Sequence, residues 1–463
     1  MKPKERSPIL NREMLLRTIF GVLLTVGSVA VFFAIHMRYY TYATRLVVRG
    51  NSLLLLMYTV LLIMILHLYG AYRIRYSRTR ELVLSYALAS FIENVLAYMV
   101  LSLIARRLLP VGDIILVFVI QCFGALLLYV LGRVMLPMLL PTIPALFIHP
   151  AGEWNEDVAS KFDRRRSSYA VTGEAGEDLP RRELLRTIDN YGAVVLGPVS
   201  AQTRQVVIGY CYRTGIKVLL VPDMTDIMVA SAQPMVVKDY LMYDLNTQGG
   251  DAAYYIAKRG LDILVSGLSL LILSPIMLLV ALAVKLQDGG PVFYRQVRLT
   301  RGGKEFKLIK FRSMIVNAEK ATGAVLAGKR DDRITPVGRF IRATRLDELP
   351  QLWNIFIGDM TLVGPRPERP EFYQTICDEY PEFNYRLMVK AGLTGYAQLY
   401  GKYNTSFPDK ARLDMYYIQH ASFFWDIQLI LYTLKIIFTR ESTEGVEVQE
   451  ETHRDSEFIG SGK

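Results

Sequence analysis

The sequence is short of the residues that build the commonest metal and disulfide sites. It has three cysteines, Cys122, Cys211 and Cys377, far apart and with no C-x-x-C pair. That argues against a disulfide framework and a structural zinc site. Five histidines are scattered along the chain without metal-ligand spacing, so histidine-centred catalysis loses weight. Charged residues make up only 21% of the chain, whereas 52% is hydrophobic and the mean hydropathy is +0.24. This excludes a disordered chain and is too apolar for an ordinary soluble enzyme. The charge that exists is biased: 54 basic against 43 acidic residues give +11. In an apolar protein such an excess suits anionic lipid or an anionic substrate; nucleic acid is not expected as a partner.

What is abundant is long apolar runs. Four of them, Ile19–His36, Leu53–Tyr69, Leu82–Ile104 and Ile114–Leu140, each approach the ~20 residues that cross a bilayer core. Residues 1–144 are therefore expected to form an α-helical membrane bundle. Lys2, Lys4, Arg6, Arg12, Arg17, Arg73, Arg75, Arg78 and Arg80 lie at one end. Arg38, Arg45, Arg49, Arg106 and Arg107 lie at the other. This bias favours both termini of the bundle on the cytoplasmic side. Glu93, Asn94 and Arg133 fall inside spans, where they serve interhelical polar contacts or a proton or substrate path.

After Pro141, Pro144 and Pro150 the pattern changes. Strands at Ala145–Ile148, Ala193–Leu196 and Val218–Val221 surround a helix at Ala201–Thr214. The βαβ pattern predicts a small α/β, Rossmann-like domain over 145–245. No G-x-G-x-x-G follows its first strand; only Gly152 is present there. The domain is read as structural or regulatory rather than as a dinucleotide site.

A fifth apolar run, 261–286, carries Ser274-Pro275 in its middle and basic residues on both flanks. It reads either as a proline-kinked span or as a re-entrant helix that enters, breaks and returns. Polar sequence follows, up to a second apolar stretch at Phe423–Phe438 that suits an interfacial or core helix. The tail 441–463 is rich in Glu, Ser, Thr and Gly and is expected to be disordered.

Chemistry concentrates between Lys310 and Pro367. Lys310-Phe311-Arg312-Ser313-Met314, Gly338-Arg339-Phe340-Ile341-Arg342, Leu346-Asp347-Glu348-Leu349-Pro350-Gln351 and Gly364-Pro365-Arg366-Pro367 follow one another. Adjacent carboxylates suit Mg²⁺, which takes one or two of them plus substrate phosphates. Lysine and arginine suit phosphate oxygens. The set is the equipment of phosphoryl transfer, and a carboxylate can itself attack phosphorus. Single surface ion pairs would be worth only ~0–1 kcal/mol, but they do not account for the whole set.

These motifs, with Gly290-Pro-Val-Phe-Tyr-Arg-Gln296 and Gly392-Leu-Thr-Gly-Tyr-Ala-Gln398, resemble the bacterial sugar transferase family, the monotopic phosphoglycosyl transferases. The resemblance covers about 250–440. The preceding spans and α/β insert resemble the larger, polyprenyl-phosphate hexose-1-phosphate transferase type. It implies a mainly α catalytic domain with a re-entrant helix broken at Ser274 and Pro275, on the cytoplasmic face of the bacterial inner membrane. It implies Asp347 as nucleophile on a UDP-sugar, Glu348 as the Mg²⁺ ligand, and Lys310, Arg312, Arg342 and Arg366 as the phosphate-binding set. Polyprenyl (undecaprenyl) phosphate would accept the sugar phosphate for exopolysaccharide, capsule or O-antigen synthesis. A homodimer is compatible with this organisation. Thr300, Arg345, Ala391 and Tyr396 depart from the usual glycine, serine, proline and tryptophan of the family. The competing readings are a membrane enzyme that modifies nucleotide sugars and a non-catalytic scaffold of polysaccharide assembly. The first needs a glycine-rich loop and a Tyr-x-x-x-Lys pair, and the second a decayed site.

Overall fold

A computed structural model describes residues 8–40, 48–75, 77–151, 168–245, 250–316, 318, 331–401 and 405–437. The expected tail 441–463 and Gly152 lie outside the described residues. The chain divides into two compact units, 1–223 and 224–463.

The first unit begins with four long helices, α1 (Pro8–Ile35), α2 (Val48–Leu68), α3 (Thr79–Ala105) and α4 (Val111–Leu139). Each is long and apolar enough to cross a membrane. Their apolar residues are exposed outward, as lipid-facing helices require. Polar side chains turn inward instead. Asn94 donates to Gln121 Oε1 at 2.8 Å, and Gln121 Nε2 donates to the Ser28 carbonyl and the Tyr58 hydroxyl at 2.9 Å each. Asn94 therefore makes the interhelical contact that the sequence allowed. Glu93 is buried beside it and Arg133 is half-buried.

A four-stranded parallel sheet follows, in the order β2-β1-β3-β4. Its strands are β1 (Ile143–His149), β2 (Tyr169–Gly176), β3 (Ala193–Leu196) and β4 (Lys217–Leu220), with helices α5 (Arg181–Ile188) and α6 (Ala201–Thr214) between them. Every residue of β3 is buried, as expected for the centre of a parallel sheet. Ser200 caps α6 and Gly215 ends it at φ 73°.

The second unit opens with α7 (Met224–Ala230), a hairpin of β5 (Gln233–Val237) and β6 (Tyr240–Asp244), and the long helix α8 (Ala252–Asp288). Its globular part holds the hairpin β7 (Phe293–Leu299) and β8 (Glu305–Phe311), helices α9 (Pro336–Ala343) and α10 (Gln351–Ile357), and β9 (Thr361–Val363). There follow α11 (Pro370–Glu379), β10 (Gly392–Thr394), α12 (Tyr396–Tyr400), α13 (Phe407–His420) and α14 (Phe423–Ile437). The core joins Phe306 and Leu308 to Leu352, Ile355, Leu362, Met415, Ile418 and Leu429. The α14 segment thus contributes to a core, one of the two roles its sequence allowed.

Helix α8 carries Pro275 inside it, with helical residues on both sides; a proline there can kink a helix without ending it. Proline has no N–H, so it strands the carbonyl four residues earlier, that of Leu271. The Ser274 hydroxyl takes up that carbonyl at 2.7 Å. The freed carbonyl is therefore satisfied, and residues on both sides of the proline stay helical.

Both ends of α8 fasten to the same globular body. Near its start, Arg259 donates to the Ile355 and Phe356 carbonyls at 2.7 Å each, satisfying the open C-terminus of α10. Asp262 accepts from Leu362 N at 2.9 Å and Thr361 Oγ1 at 3.0 Å. At its end, Asp288 is clasped by both terminal nitrogens of Arg312, and Val280 and Val284 pack on Phe311 and Ile341. Between these anchors Leu268, Leu271, Ile272, Leu278 and Leu279 are more than half exposed.

Candidate active site

The carboxylate pair sits in a tight turn, Leu346–Glu348, between α9 and α10. The residue before the turn, Arg345, adopts φ 55°, a left-handed conformation that is costly for a side chain with a Cβ. Leu346 and Leu349 flank the dyad and point down into the cluster of Val280, Val284, Phe311 and Ile341. The dyad is thereby seated on the C-terminal half of α8.

Three cations converge on Glu348. Lys310 Nζ lies 3.1 Å from Oε1, Arg366 Nη2 3.4 Å from Oε1, and Arg345 Nη1 3.7 Å from Oε2. Lys310 comes from the end of β8. Asn354 fixes that strand: its Oδ1 accepts from Ile309 N at 3.0 Å and its Nδ2 donates to the Lys307 carbonyl at 2.9 Å. Arg366 comes from the loop after β9. That loop approaches its neighbour so closely that a Cβ on Gly364 would lie 2.4 Å from the Lys390 carbonyl oxygen. Glycine is the residue that permits this contact.

The two acids are driven apart. Burial alone would raise the Glu348 carboxyl, but Lys310, Arg366 and Arg345 overcome it and hold Glu348 well below the usual range. Asp347 is pushed up to about 6 by burial first and by the Glu348 charge second, with Lys310 and Arg342 opposing. One carboxylate is a fixed anion, and the other loses its proton just below neutrality. Such a split is the mark of paired acids with different tasks.

The structure brings together Asp347, Glu348, Lys310 and Arg366, with Arg342 close enough to act on Asp347. Arg312 does not join them. Its guanidinium is buried, holding Asp288 and donating from Nε to the Pro291 carbonyl at 2.7 Å. Residues two apart share a face only within a strand, and β8 ends at Phe311. Arg312 therefore anchors α8 instead of facing the dyad. Ser274 and Pro275 lie on α8, away from this cluster.

Sequence reasoning missed the support beneath Arg366. Buried Arg386 donates from Nη2 to the Arg366 carbonyl at 3.1 Å and from Nε to Asp414 Oδ2 at 2.6 Å. Arg298 Nη1 donates to the next carbonyl, that of Pro367, at 3.0 Å. Glu368 lies between the two arginines, 3.7 Å from Arg386 and 3.9 Å from Arg298. No spacing in the sequence marks this clamp.

Thr300 and Ala391 also meet. Ala391 N donates to Thr300 Oγ1, and Thr300 Oγ1 donates to the Asp359 carbonyl, at 3.1 Å each.

Residues 253–440 match the family described as bacterial sugar transferase. The Caulobacter vibrioides UDP-glucose:undecaprenyl-phosphate glucose-1-phosphate transferase is 38% identical over 192 residues, 40% of this chain and 72% of that protein. The chain belongs to the bacterial sugar transferase family. Two further relatives are matched over a smaller share of their length. One is the Aeromonas hydrophila UDP-N-acetylgalactosamine-undecaprenyl-phosphate N-acetylgalactosaminephosphotransferase, 40% identical over 189 residues, 40% of this chain and 44% of that protein. The other is the Salmonella typhimurium undecaprenyl-phosphate galactose phosphotransferase, 38% identical over 198 residues, 40% of this chain and 41% of that protein. The chain thus spans less than half the length of these two relatives. Each relative carries a different sugar in its name.

Among the described residues, no group of three or more His, Cys, Asp and Glu side chains could hold a metal ion. Asp347 and Glu348 are two oxygen-donor side chains, so a divalent ion here would need further ligands from a substrate, such as diphosphate oxygens. The cations on Glu348 make the same demand, because they oppose an added cation until an anionic donor is present.

Proposed function

We propose that this sugar transferase moves a hexose-1-phosphate from a UDP-sugar to a polyprenyl phosphate, initiating assembly of a surface polysaccharide. The observation that carries the reading is a carboxylate pair with split acidities, ringed by Lys310, Arg345 and Arg366 and seated on an apolar helix gripped at both ends.

The donor's diphosphate enters the ring of cations, where arginine and lysine neutralise its oxygens. Lys310 and Arg366 are held in advance by Glu348, so little ordering remains on binding. Asp347, ionised above about pH 6, attacks the sugar-bearing phosphorus. An aspartyl oxygen–phosphorus bond forms, the phosphorus–oxygen bond to UMP breaks, and UMP leaves with the electron pair. A polyprenyl phosphate oxygen then attacks the same phosphorus, and the Asp347 carboxylate departs. Glu348 with diphosphate oxygens would hold Mg²⁺, which supplies charge neutralisation at the transferring phosphoryl group.

The same reading takes α8 as re-entrant. A helix that spans cannot return its far end to the body that grips its near end, and α8 is gripped at Arg259, Asp262 and Asp288 by one unit. The dyad would then lie at the cytoplasmic surface of the bacterial inner membrane, where a soluble donor and a lipid acceptor both reach it. The parallel sheet of the first unit is taken as a Rossmann-like structural or regulatory domain, and a homodimer is compatible with this arrangement.

The test is UMP release from UDP-sugars by the full chain in membranes, with and without undecaprenyl phosphate, alongside mass analysis of the peptide containing Asp347. The expected result is a burst of UMP and a phosphosugar adduct without acceptor, and turnover with it. Undiminished UMP release by Asp347→Asn would overturn the assignment.

A further inference from the structure

The first unit contains a second cluster of guanidinium groups, remote in sequence from the catalytic dyad and independent of the proposed reaction. At one end of the bundle a shallow cleft is lined by Glu13, Arg17, Tyr72, Arg73, Ile74, Arg75 and Leu136. The cleft is built on a fixed loop. Tyr69, Ala71 and Ile74 of the α2–α3 connection are buried. Tyr129 donates to the Ala71 carbonyl at 2.8 Å, and Tyr72 pairs with Thr25 at 3.0 Å.

Arg75 is the unusual member. Its side chain is only 10% exposed, and its Nη1 has no hydrogen-bond partner among the described residues. It forms an ion pair with Glu13 Oε2 at 3.7 Å, too long for a hydrogen bond. Glu13 is engaged elsewhere, accepting from Ser168 Oγ at 2.9 and 3.1 Å. A buried guanidinium nitrogen that has an ion pair but no hydrogen bond is under-satisfied and calls for an explanation. The cleft holds three guanidinium groups against one carboxylate, so it carries a net positive charge. It also lies where candidate spans begin and end: α1 is membrane-compatible from Arg12, α2 to Leu68, and α4 to Leu136. Basic pockets at that depth suit lipid head groups.

We propose that this cleft binds the phosphate of an anionic inner-leaflet lipid, with Arg75 as the buried donor and Arg17 and Arg73 at the rim. A lipid in the cleft would sit beside Glu13, whose Ser168 contact joins the bundle to the start of β2.

The experiment measures thermal unfolding of the full chain in neutral detergent, titrated with phosphatidylglycerol, phosphatidylcholine or inorganic phosphate. Phosphatidylglycerol should raise the midpoint and phosphatidylcholine should not. Arg75→Met should weaken the apparent affinity by about 10- to 100-fold, the effect of losing a charge-assisted bond. The exposed Arg73→Gln, which leaves the buried loop intact, should weaken it several-fold, while Arg366→Met in the catalytic unit should respond like the wild type. An unchanged response in both Arg75→Met and Arg73→Gln would overturn the site. An equal response to inorganic phosphate would overturn the lipid as its ligand.

Discussion

Replacing Arg386 with methionine tests whether the clamp beneath Arg366 serves the fold alone or also the reaction. Arg386 and Asp414 are 5% and 1% exposed and lie 2.6 Å apart. Removing the guanidinium leaves Asp414 buried and unpaired, which costs about 3–5 kcal/mol. Arg386→Met should therefore unfold well below the wild type. Arg386→Met combined with Asp414→Leu removes the orphaned charge and should recover most of that loss. A residue of about 1–3 kcal/mol should remain, because Ala397 N–H loses its acceptor on Asp414. Activity should not recover with stability. The Arg366 carbonyl is still released, and a catalytic group displaced by ~1 Å costs up to about 100-fold in rate. The assays are thermal unfolding in detergent and UMP release under saturating donor. A double variant with wild-type turnover would refute the reasoning. So would an Arg386→Lys penalty of equal size in the wild type and in an Arg366→Ala background, since a residue acting through Arg366 must show coupling to it.

Other predictions follow from the same contacts. Asp347 is raised to about 6 in the folded protein, so its proton favours the folded state and that stabilisation is lost as pH rises through 6. Asp347→Asn should be more stable than the wild type at pH 7, with the difference gone below about pH 4, as urea unfolding across pH would measure. UMP release should fall about tenfold per unit below pH 6. Arg312→Met should lower the unfolding midpoint while leaving KM for the UDP-sugar within about twofold, because Arg312 holds Asp288; a large KM increase would return it to the phosphate site. If α8 is re-entrant, tags before Lys258 and after Gly290 should both be labelled only from the cytoplasmic side, and periplasmic labelling of either would exclude it. Without the G-x-G-x-x-G loop the parallel-sheet domain should purify without NAD, and a stoichiometric cofactor in the purified chain would contradict this.

The membrane helices were legible because an apolar run of some 20 residues has few other fates. Strands β1, β3 and β4 were legible because short buried apolar segments between turn residues read as parallel strands. Strand β2, Tyr169–Gly176, was not anticipated, since Gly173 and Glu174 interrupt its apolar pattern. Asp347, Glu348, Lys310 and Arg366 stood out as charges packed into one stretch of sequence. Arg386 and Asp414 did not. They are 28 residues apart, and their pairing exists only after α13 folds back beside the segment Pro381–Met388. Arg312 failed for a local reason: strand alternation stopped one residue before it. The Ser274-Pro275 pair allows a kinked span or a re-entrant turn, and its spacing did not reveal that the serine hydroxyl takes up the Leu271 carbonyl.

The bond between Ala391 and Thr300 gives two apparent oddities a shared history. A proline at 391 would have no N–H to offer, and a glycine at 300 no hydroxyl to receive one. Thr300→Gly alone strands a buried donor, at a cost of about 1–3 kcal/mol, whereas Thr300→Gly with Ala391→Pro removes donor and acceptor together. The pair is therefore expected to change in concert. Segments grafted from a relative with glycine and proline at these places should be exchanged as a matched set, and swapping one alone should yield a weaker fold than either parent.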